Sequence, residues 1–171
     1  MIQDIITVFW LLLPAAFANM SPIMFSRLDF LNYPISKKMF GENKTWQGFF
    51  FGILTAILIA SVQKMIYLYA NYSAGINYNV INTVLLGGLL GFGALFGDLI
   101  KSLIKRKVGI KPGKSFIPFD QIDWILGALV FSSPYFKLSL KAWFIAIVIF
   151  GPLHLVFSYI GYLLNLKKNK L

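Results

Sequence analysis

The stretch that decides the fold is residues 80–104, VINTVLLGGLLGFGALFGDLIKSLI. Apolar and small residues dominate it, and its charged residues are one carboxylate, Asp98, and one lysine, Lys101. A helix needs roughly 20 predominantly apolar residues to cross the hydrocarbon core of a bilayer. The segment therefore predicts a membrane-spanning helix, within which Asp98 is the residue that needs an explanation.

Four further apolar segments predict spans at 3–22, 46–70, 121–136 and 141–164. The chain of 171 residues is 58% hydrophobic and 13% charged, whereas soluble domains have roughly 45–50% apolar and 25% charged residues. These features predict an all-α polytopic membrane protein, with residues 1–171 forming one integral membrane domain of about five transmembrane helices. The segment 121–136 is short and ends in Ser132-Ser133-Pro134, so a tilted, a re-entrant and a shallow placement are all open to it.

The charge distribution predicts the orientation of the chain in the cell membrane. Thirteen of the 16 lysines and arginines lie in 23–45, 101–114 and 167–170. Because Lys and Arg mark cytoplasmic loops, the loops 23–45 and 105–120 and the C-terminus are predicted to be cytoplasmic and the N-terminus outside. The net charge of +10 then favours anionic lipid and polyphosphate partners over nucleic acid. The chain has no cysteine, which excludes thiol chemistry.

Asp98 is followed at helical spacing by Ser102, Lys105 and Arg106. A carboxylate inside a span costs roughly 2.5–3.5 kcal/mol on insertion scales and usually faces a cavity or a partner. An acid beside a hydroxyl and two cations suits a divalent ion with a polyphosphate. The alternative is a salt bridge from Asp98 to Lys101 or Arg106, or a position at the interface that costs little.

Asp120 and Asp123 form a second acidic pair, placed at i and i+3 just after Pro118. In a helix that begins there they share one face, and two close carboxylates repel each other unless a cation lies between them. Mg²⁺ bound by one or two carboxylates and substrate phosphates fits this spacing. The alternative is capping of the helix N-terminus and complementation of the helix dipole.

Two other patterns have more than one interpretation. The loop 41–48, GENKTWQG, offers Asn43, Lys44 and Thr45 to a nucleotide phosphate or base, but it also reads as an interfacial loop anchored by Trp46. The glycines of 80–104 form two small-xxx-small pairs, which favour close helix packing or a homodimer. They are Gly87 with Gly91 and Gly93 with Gly97. His154, the single histidine, is expected to be a packed residue of the fifth span.

Two runs of this sequence resemble the signature of CDP-diacylglycerol synthases, in which Ser-x-apolar-Lys-Arg leads to Asp-Arg-apolar-Asp. They are Ser102-Leu103-Ile104-Lys105-Arg106 and Asp120-Gln121-Ile122-Asp123. Pro112 in place of Asp, Gln121 in place of Arg and the missing His-Gly-Gly stretch are similar to the archaeal branch, the CDP-archaeol synthases. Other matches to that branch are Asn19 and Pro22, Leu28-Asp29-Phe30, Gly41, Asn43-Lys44-Thr45-Trp46, Gly48, Gly97-Asp98 and Lys101-Ser102.

The resemblance implies transfer of CMP from CTP to an isoprenoid glycerol phosphate lipid, 2,3-bis-O-(geranylgeranyl)-sn-glycerol 1-phosphate, with release of pyrophosphate. It implies Mg²⁺ as cofactor, held by Asp98, Asp120 and Asp123, with Lys105 and Arg106 as further catalytic residues. The predicted substrate-binding residues are Asn19, Asp29, Asn43, Lys44, Thr45, Ser102 and Gln121. The alternatives are a synthase acting on diacylglycerol phosphate, a small transporter subunit and a structural protein with a basic surface.

Overall fold

The computed structural model describes residues 1–26, 28–111 and 114–153 of the chain. The helices are α1 (Ile2–Met24), α2 (Trp46–Ala70), α3 (Thr83–Lys107), α4 (Phe119–Ser132) and α5 (Leu140–Ile145), the last continued by a π-helical segment, Ala146–Phe150. Within these described residues no strand forms, and the single isolated bridge joins Pro34 to Thr45. The all-α prediction is confirmed.

Three helices, α1, α2 and α3, are long and apolar enough to cross a membrane. α4 has 14 residues, so it is about 21 Å long, against a hydrocarbon core of about 30 Å. It begins at Phe119 and ends at Ser132, so the predicted span 121–136 was too long at its C-terminal end. The predicted span 141–164 coincides with an apolar helical stretch, Leu140–Leu153, and then leaves the described residues, as does His154.

The start of α3 differs from the prediction because Asn82 caps it. The Asn82 side chain accepts hydrogen bonds from the backbone N–H groups of Val84, at 3.0 Å, and Leu85, at 3.1 Å. Such a cap satisfies donors that have no partner within the helix. The helix therefore starts at Thr83 rather than at residue 80, and it continues to Lys107.

Three contacts between helix ends show that successive helices run in opposite directions. The Thr7 hydroxyl donates to the Ala74 carbonyl at 2.6 Å, which joins the start of α1 to the connection between α2 and α3. Lys141 donates to Asp4 at 2.6 Å, which joins the starts of α5 and α1. The Asn82 N–H donates to the Tyr135 hydroxyl at 2.7 Å, which joins the start of α3 to the turn after α4. We call this end of the bundle the distal face. The opposite end, which carries the connections 25–45 and 108–118, is the loop face.

Glycines let α3 pack closely against two neighbours. A Cβ at Gly87 would lie 2.8 Å from the Ala56 carbonyl oxygen of α2, and one at Gly93 would lie 2.8 Å from the Gly127 carbonyl carbon of α4. Gly91 and Gly97 make the corresponding close approaches to α2 and α4. The glycine pairs therefore serve close packing of helices within the chain, which confirms the close-packing interpretation of this stripe.

A closed set of buried hydrogen bonds lies between α1, α2 and the connection before α3. The Trp10 indole donates to the Tyr78 hydroxyl at 2.9 Å, Tyr78 donates to Gln63 at 3.3 Å, and Gln63 donates to the Trp10 carbonyl at 2.6 Å. Tyr78 is fully buried, and burial raises its pKa to about 12 despite the opposing hydrogen bond from Trp10. This network belongs to the packing of the bundle.

Candidate active site

Three aspartates from two helices converge on one ammonium group near the loop face. The Lys101 Nζ lies 2.8 Å from Asp98 Oδ1, 3.2 Å from Asp120 Oδ1 and 2.9 Å from Asp123 Oδ2. Asp98 and Lys101 belong to α3, whereas Asp120 and Asp123 belong to α4. The two helices can approach because Gly97 has no side chain where it meets the Asp123 carbonyl.

Two further lysines complete this buried ion cluster. Lys44 contacts the second oxygen of Asp98, and Lys105 Nζ lies 3.1 Å from both oxygens of Asp120. Three ammonium groups thus face three carboxylates, so the cluster is electrically neutral when all are ionised. Neutrality matters here because an unpaired charge in a buried site is strongly destabilising.

The salt-bridge interpretation of Asp98 was right about Lys101 but incomplete. Lys101 contacts all three aspartates, although sequence analysis did not place it among the site residues. The i, i+3 spacing from Asp98 was the signal that pointed to it. Its contacts with Asp120 and Asp123 depend on where α4 lies, and the spacing carries no information on that.

Asp120 does not cap the start of α4. The N-cap position is Pro118 and makes no side-chain cap hydrogen bond. Asp120 instead accepts a hydrogen bond from the Phe116 N–H in the preceding loop and ion-pairs with Lys101 and Lys105. The capping alternative is therefore wrong for this residue.

Beside the ion cluster lies a cavity of about 140 Å³ that opens toward the loop face. Its lining comes from the loop before α2 and from the last turns of α3: Phe40, Gly41, Glu42, Asn43, Lys44, Lys101, Ser102, Lys105 and Arg106. Four of these residues are cationic and one is acidic. The cavity therefore suits a polyanionic ligand.

Backbone contacts hold the loop before α2 in place over the cavity. The Ile35 N–H donates to the Lys44 carbonyl at 2.7 Å, and the Trp46 N–H donates to the Tyr33 carbonyl at 3.1 Å. Gly41 has a φ of +92°, which few residues with a side chain adopt, and it faces the Arg106 guanidinium. These contacts position Lys44 above Asp98.

Two of the residues with a buried polar atom that makes no hydrogen bond, Arg106 and Asp123, belong to this site. In the described part of the chain such atoms are Arg106 Nε, Gln121 Oε1, Asp123 Oδ2 and Trp124 Nε1. Asp123 Oδ2 lies 2.9 Å from the Lys101 ammonium and is therefore ion-paired. Because folded proteins leave few buried polar groups unsatisfied, Arg106 Nε at the cavity wall is a donor that a bound anion would satisfy.

The other predicted site residues have different surroundings. Ser102 is buried at the cavity wall, and Asn43 is exposed at its rim. The Thr45 hydroxyl accepts the Gly48 N–H at 3.1 Å and so caps α2. Asn19 is half-buried on α1 and Asp29 is exposed; neither makes a side-chain hydrogen bond to the described residues of the cluster.

The aspartates are not arranged as a finished metal site. Among the residues that the structure describes, no group of three or more His, Cys, Asp and Glu side chains is spaced to hold a metal ion. Their oxygens lie 2.8–3.2 Å from the ammonium, whereas Mg²⁺ requires about 2.0–2.1 Å.

Comparison with known proteins gives consistent results along nearly the whole chain. Residues 1–170 match the family model described as CarS-like: CDP-archaeol synthase. The CDP-archaeol synthase of Archaeoglobus fulgidus is 34% identical over 98% of both chains, and that of Pyrococcus furiosus is 37% identical over 77% of both. The CDP-archaeol synthase of Thermofilum pendens is 34% identical over 91% of this chain and 76% of its own.

The fold is also similar to a solved structure described as an intramembrane enzyme for archaeal membrane lipid biosynthesis. The TM-score is 0.66 at 23% identity, with 87% of this chain and 90% of that chain covered. This likeness supports the helical membrane architecture. Together with the family match and the three relatives, it confirms the resemblance found in the sequence: the chain belongs to the CarS-like family of CDP-archaeol synthases.

Proposed function

We propose that this chain transfers CMP from CTP to 2,3-bis-O-(geranylgeranyl)-sn-glycerol 1-phosphate, producing unsaturated CDP-archaeol and pyrophosphate. The observation that carries the proposal is the cavity lined by Lys44, Lys101, Lys105 and Arg106 directly beside three aspartates. Its cationic side chains suit a triphosphate, and its position near the ends of apolar helices suits a lipid phosphate. Membership of the family supports the identity of both substrates.

The reaction joins two anions, so the main task of the site is electrostatic. An oxygen of the lipid phosphate attacks the α-phosphorus of CTP, and the bond from that phosphorus to the bridging oxygen of pyrophosphate breaks. The second pKa of a phosphate monoester is about 6, so the attacking oxygen is largely ionised at neutral pH and needs no general base. Lys44, Lys105 and Arg106 offset the charge of the phosphates and hold them in position.

Mg²⁺ is the proposed cofactor, and the donor chemistry of the residues present fits it. Asp98, Asp120 and Asp123 would supply the hard oxygen ligands that this ion prefers, and one oxygen of each lies within 3.2 Å of the Lys101 ammonium. Held by these residues, Mg²⁺ would supply positive charge that offsets the charge of the triphosphate and of the departing pyrophosphate. Among the predicted substrate-binding residues, Asn43 and Ser102 line the cavity, whereas the proposals for Asn19, Asp29, Thr45 and Gln121 rest on family resemblance.

We place the loop face in the cytoplasm, where CTP is made, and the N-terminus outside the cell membrane. The basic residues of 23–45 and 101–114 support this orientation. In this proposal α4 and the helix beginning at Leu140 complete a five-helix domain over residues 1–171. A homodimer remains a proposal that the glycine stripe does not support.

The test is CMP transfer from radiolabelled CTP by the purified protein with Mg²⁺. The ether-lipid phosphate and a diacylglycerol phosphate are offered in parallel, and we expect the ether lipid to be the preferred acceptor. Asp98→Asn and Asp123→Asn should each lose at least about 100-fold in activity, in the range seen when one electrostatic contact to a transition state is removed. Asp4→Asn, at the distal face, is the matched control and should retain activity.

Two results would contradict this proposal. Full activity of both cluster variants would remove the role of the aspartates. Formation of no CDP-lipid from either acceptor by a folded sample would favour the transporter interpretation.

A further inference from the structure

We propose that Lys101 is an internal counter-cation that exchanges partners during substrate binding. Before substrate enters, its ammonium neutralises Asp98, Asp120 and Asp123. When a divalent cation and CTP bind, it yields these carboxylates to the metal and moves onto the triphosphate. The inference rests on the proposed function and deepens it, because it assigns a positioning role to a residue that the sequence did not place in the site.

The first argument is that the ammonium and a divalent ion require the same oxygens. The second oxygen of Asp98 contacts Lys44, and the second oxygen of Asp120 accepts the Phe116 N–H. Of the three oxygens that face Lys101, those of Asp98 and Asp123 have no other cation among the described residues, whereas Asp120 Oδ1 is shared with Lys105 at 3.1 Å. All three surround Nζ at 2.8–3.2 Å, and an ion placed there would draw them inward to about 2.0–2.1 Å, which leaves no room for the ammonium.

The second argument is that the displaced ammonium has a place to go. Lys101 also lines the cavity beside the ion cluster, together with Ser102, Lys105 and Arg106. A lysine has a flexible four-carbon stem and a compact charge that can turn between neighbouring anions. A rotation of the stem would exchange a carboxylate for a phosphate without moving α3.

The third argument is charge balance. The cluster of three aspartates with Lys44, Lys101 and Lys105 is neutral, so a divalent ion that enters alone adds two uncompensated positive charges to a buried site. A triphosphate that enters with the ion supplies the missing negative charge. The metal should therefore bind weakly to the resting protein and much more tightly in the presence of CTP.

The experiment measures Mn²⁺ binding to the full chain in detergent, with and without CTP, by the loss of the free Mn²⁺ resonance signal. Lys101→Met removes the competing charge, and Lys101→Arg is the matched control that keeps it. In the absence of CTP, we expect Lys101→Met to bind Mn²⁺ at least about fivefold more tightly than the unaltered protein does. A factor of about five is the lower end of the usual range for coupling between two ligands. CTP should then strengthen Mn²⁺ binding less in Lys101→Met than in the unaltered protein.

A second measurement avoids any folding defect of the variant. In the unaltered protein, the reaction of Lys101 with an amine-modifying reagent is followed by peptide mass spectrometry. Lys101 should be protected in chelator, more reactive at a Mn²⁺ concentration that saturates the protein without CTP, and protected again when CTP is added. A Lys101 reactivity that Mn²⁺ does not change would overturn the proposal.

The outcomes separate this inference from the proposed function. Equal Mn²⁺ affinity of Lys101→Met and the unaltered protein overturns the exchange but leaves the metal site standing. Absence of Mn²⁺ binding in every form, even with CTP, overturns the metal site and the exchange with it. Binding of Mn²⁺ that is tighter in Lys101→Met than in either the unaltered protein or Lys101→Arg supports both the metal site and the exchange.

Discussion

Replacement of Gly97 by alanine tests whether the close packing of α3 and α4 sets the geometry of the site. A Cβ at this position would lie 3.0 Å from the Asp123 carbonyl carbon and closer still to its oxygen, whereas ordinary contacts begin at 3.4 Å. The backbone at Asp123 must therefore move by at least about 0.4 Å, and by about 1 Å to clear the oxygen. Asp123 would move with it, away from Asp98.

The expected effect on activity is larger than the effect on stability. A misplacement of about 1 Å in a reacting geometry costs on the order of 100-fold in rate, so we expect CMP transfer to fall by tenfold to about 100-fold. Overpacking of this kind costs about 1–3 kcal/mol of stability. The assays are CMP transfer per folded molecule and thermal unfolding in detergent.

Two other glycines of α3 provide matched controls. Gly88→Ala meets nothing within 4 Å, so it should leave activity unchanged and should not lower stability, since alanine in a helix interior is about 0.5–1 kcal/mol more favourable than glycine. Gly87→Ala meets the Ala56 carbonyl oxygen at 2.8 Å, but it lies about 16 Å along the helix from Asp98. It should lose stability without losing activity per folded molecule. Displacement of Asp123 is expected to lower activity by at least about tenfold. The packing argument is therefore wrong if the activity of Gly97→Ala stays within about twofold of the activity of Gly88→Ala.

Two further predictions concern the loop face and the distal face. Thr45→Ala removes the cap of α2 and should lower stability by about 0.5–2 kcal/mol, measured by thermal unfolding; Thr45→Ser keeps the hydroxyl and should behave like the unaltered protein. Equal stability of Thr45→Ala and Thr45→Ser would exclude the cap. Tyr78 has a folded-state pKa of about 12 against an ordinary value of 10. The folded protein therefore holds the phenol proton more tightly than the unfolded chain does, and the stability that this difference supplies is complete below pH 10 and is lost as the pH rises toward 12. The unfolding temperature should therefore fall more steeply across that interval in the unaltered protein than in Tyr78→Phe, and parallel curves would contradict this assignment.

The sequence alone was sufficient for the features that the membrane imposes. Because hydrocarbon offers no hydrogen bonds, a span must be a helix of nearly fixed length, and the predicted segment 46–70 matches α2 at both ends. The same solvent makes a carboxylate such as Asp98 costly, which is why it could be singled out without a structure. The spacing of Asp120 and Asp123 likewise identified a pair on one helix face.

The tertiary structure decided which of these groups meet and what each one contacts. Lys101 is the centre of the cluster because Gly97 and Gly127 let α4 approach α3, and no local spacing records that approach. Thr45 has the residue type expected at a phosphate site, yet its hydroxyl caps α2. Local sequence determines which helices form and which charges they carry, whereas the partners of those charges depend on contacts between segments far apart in the chain.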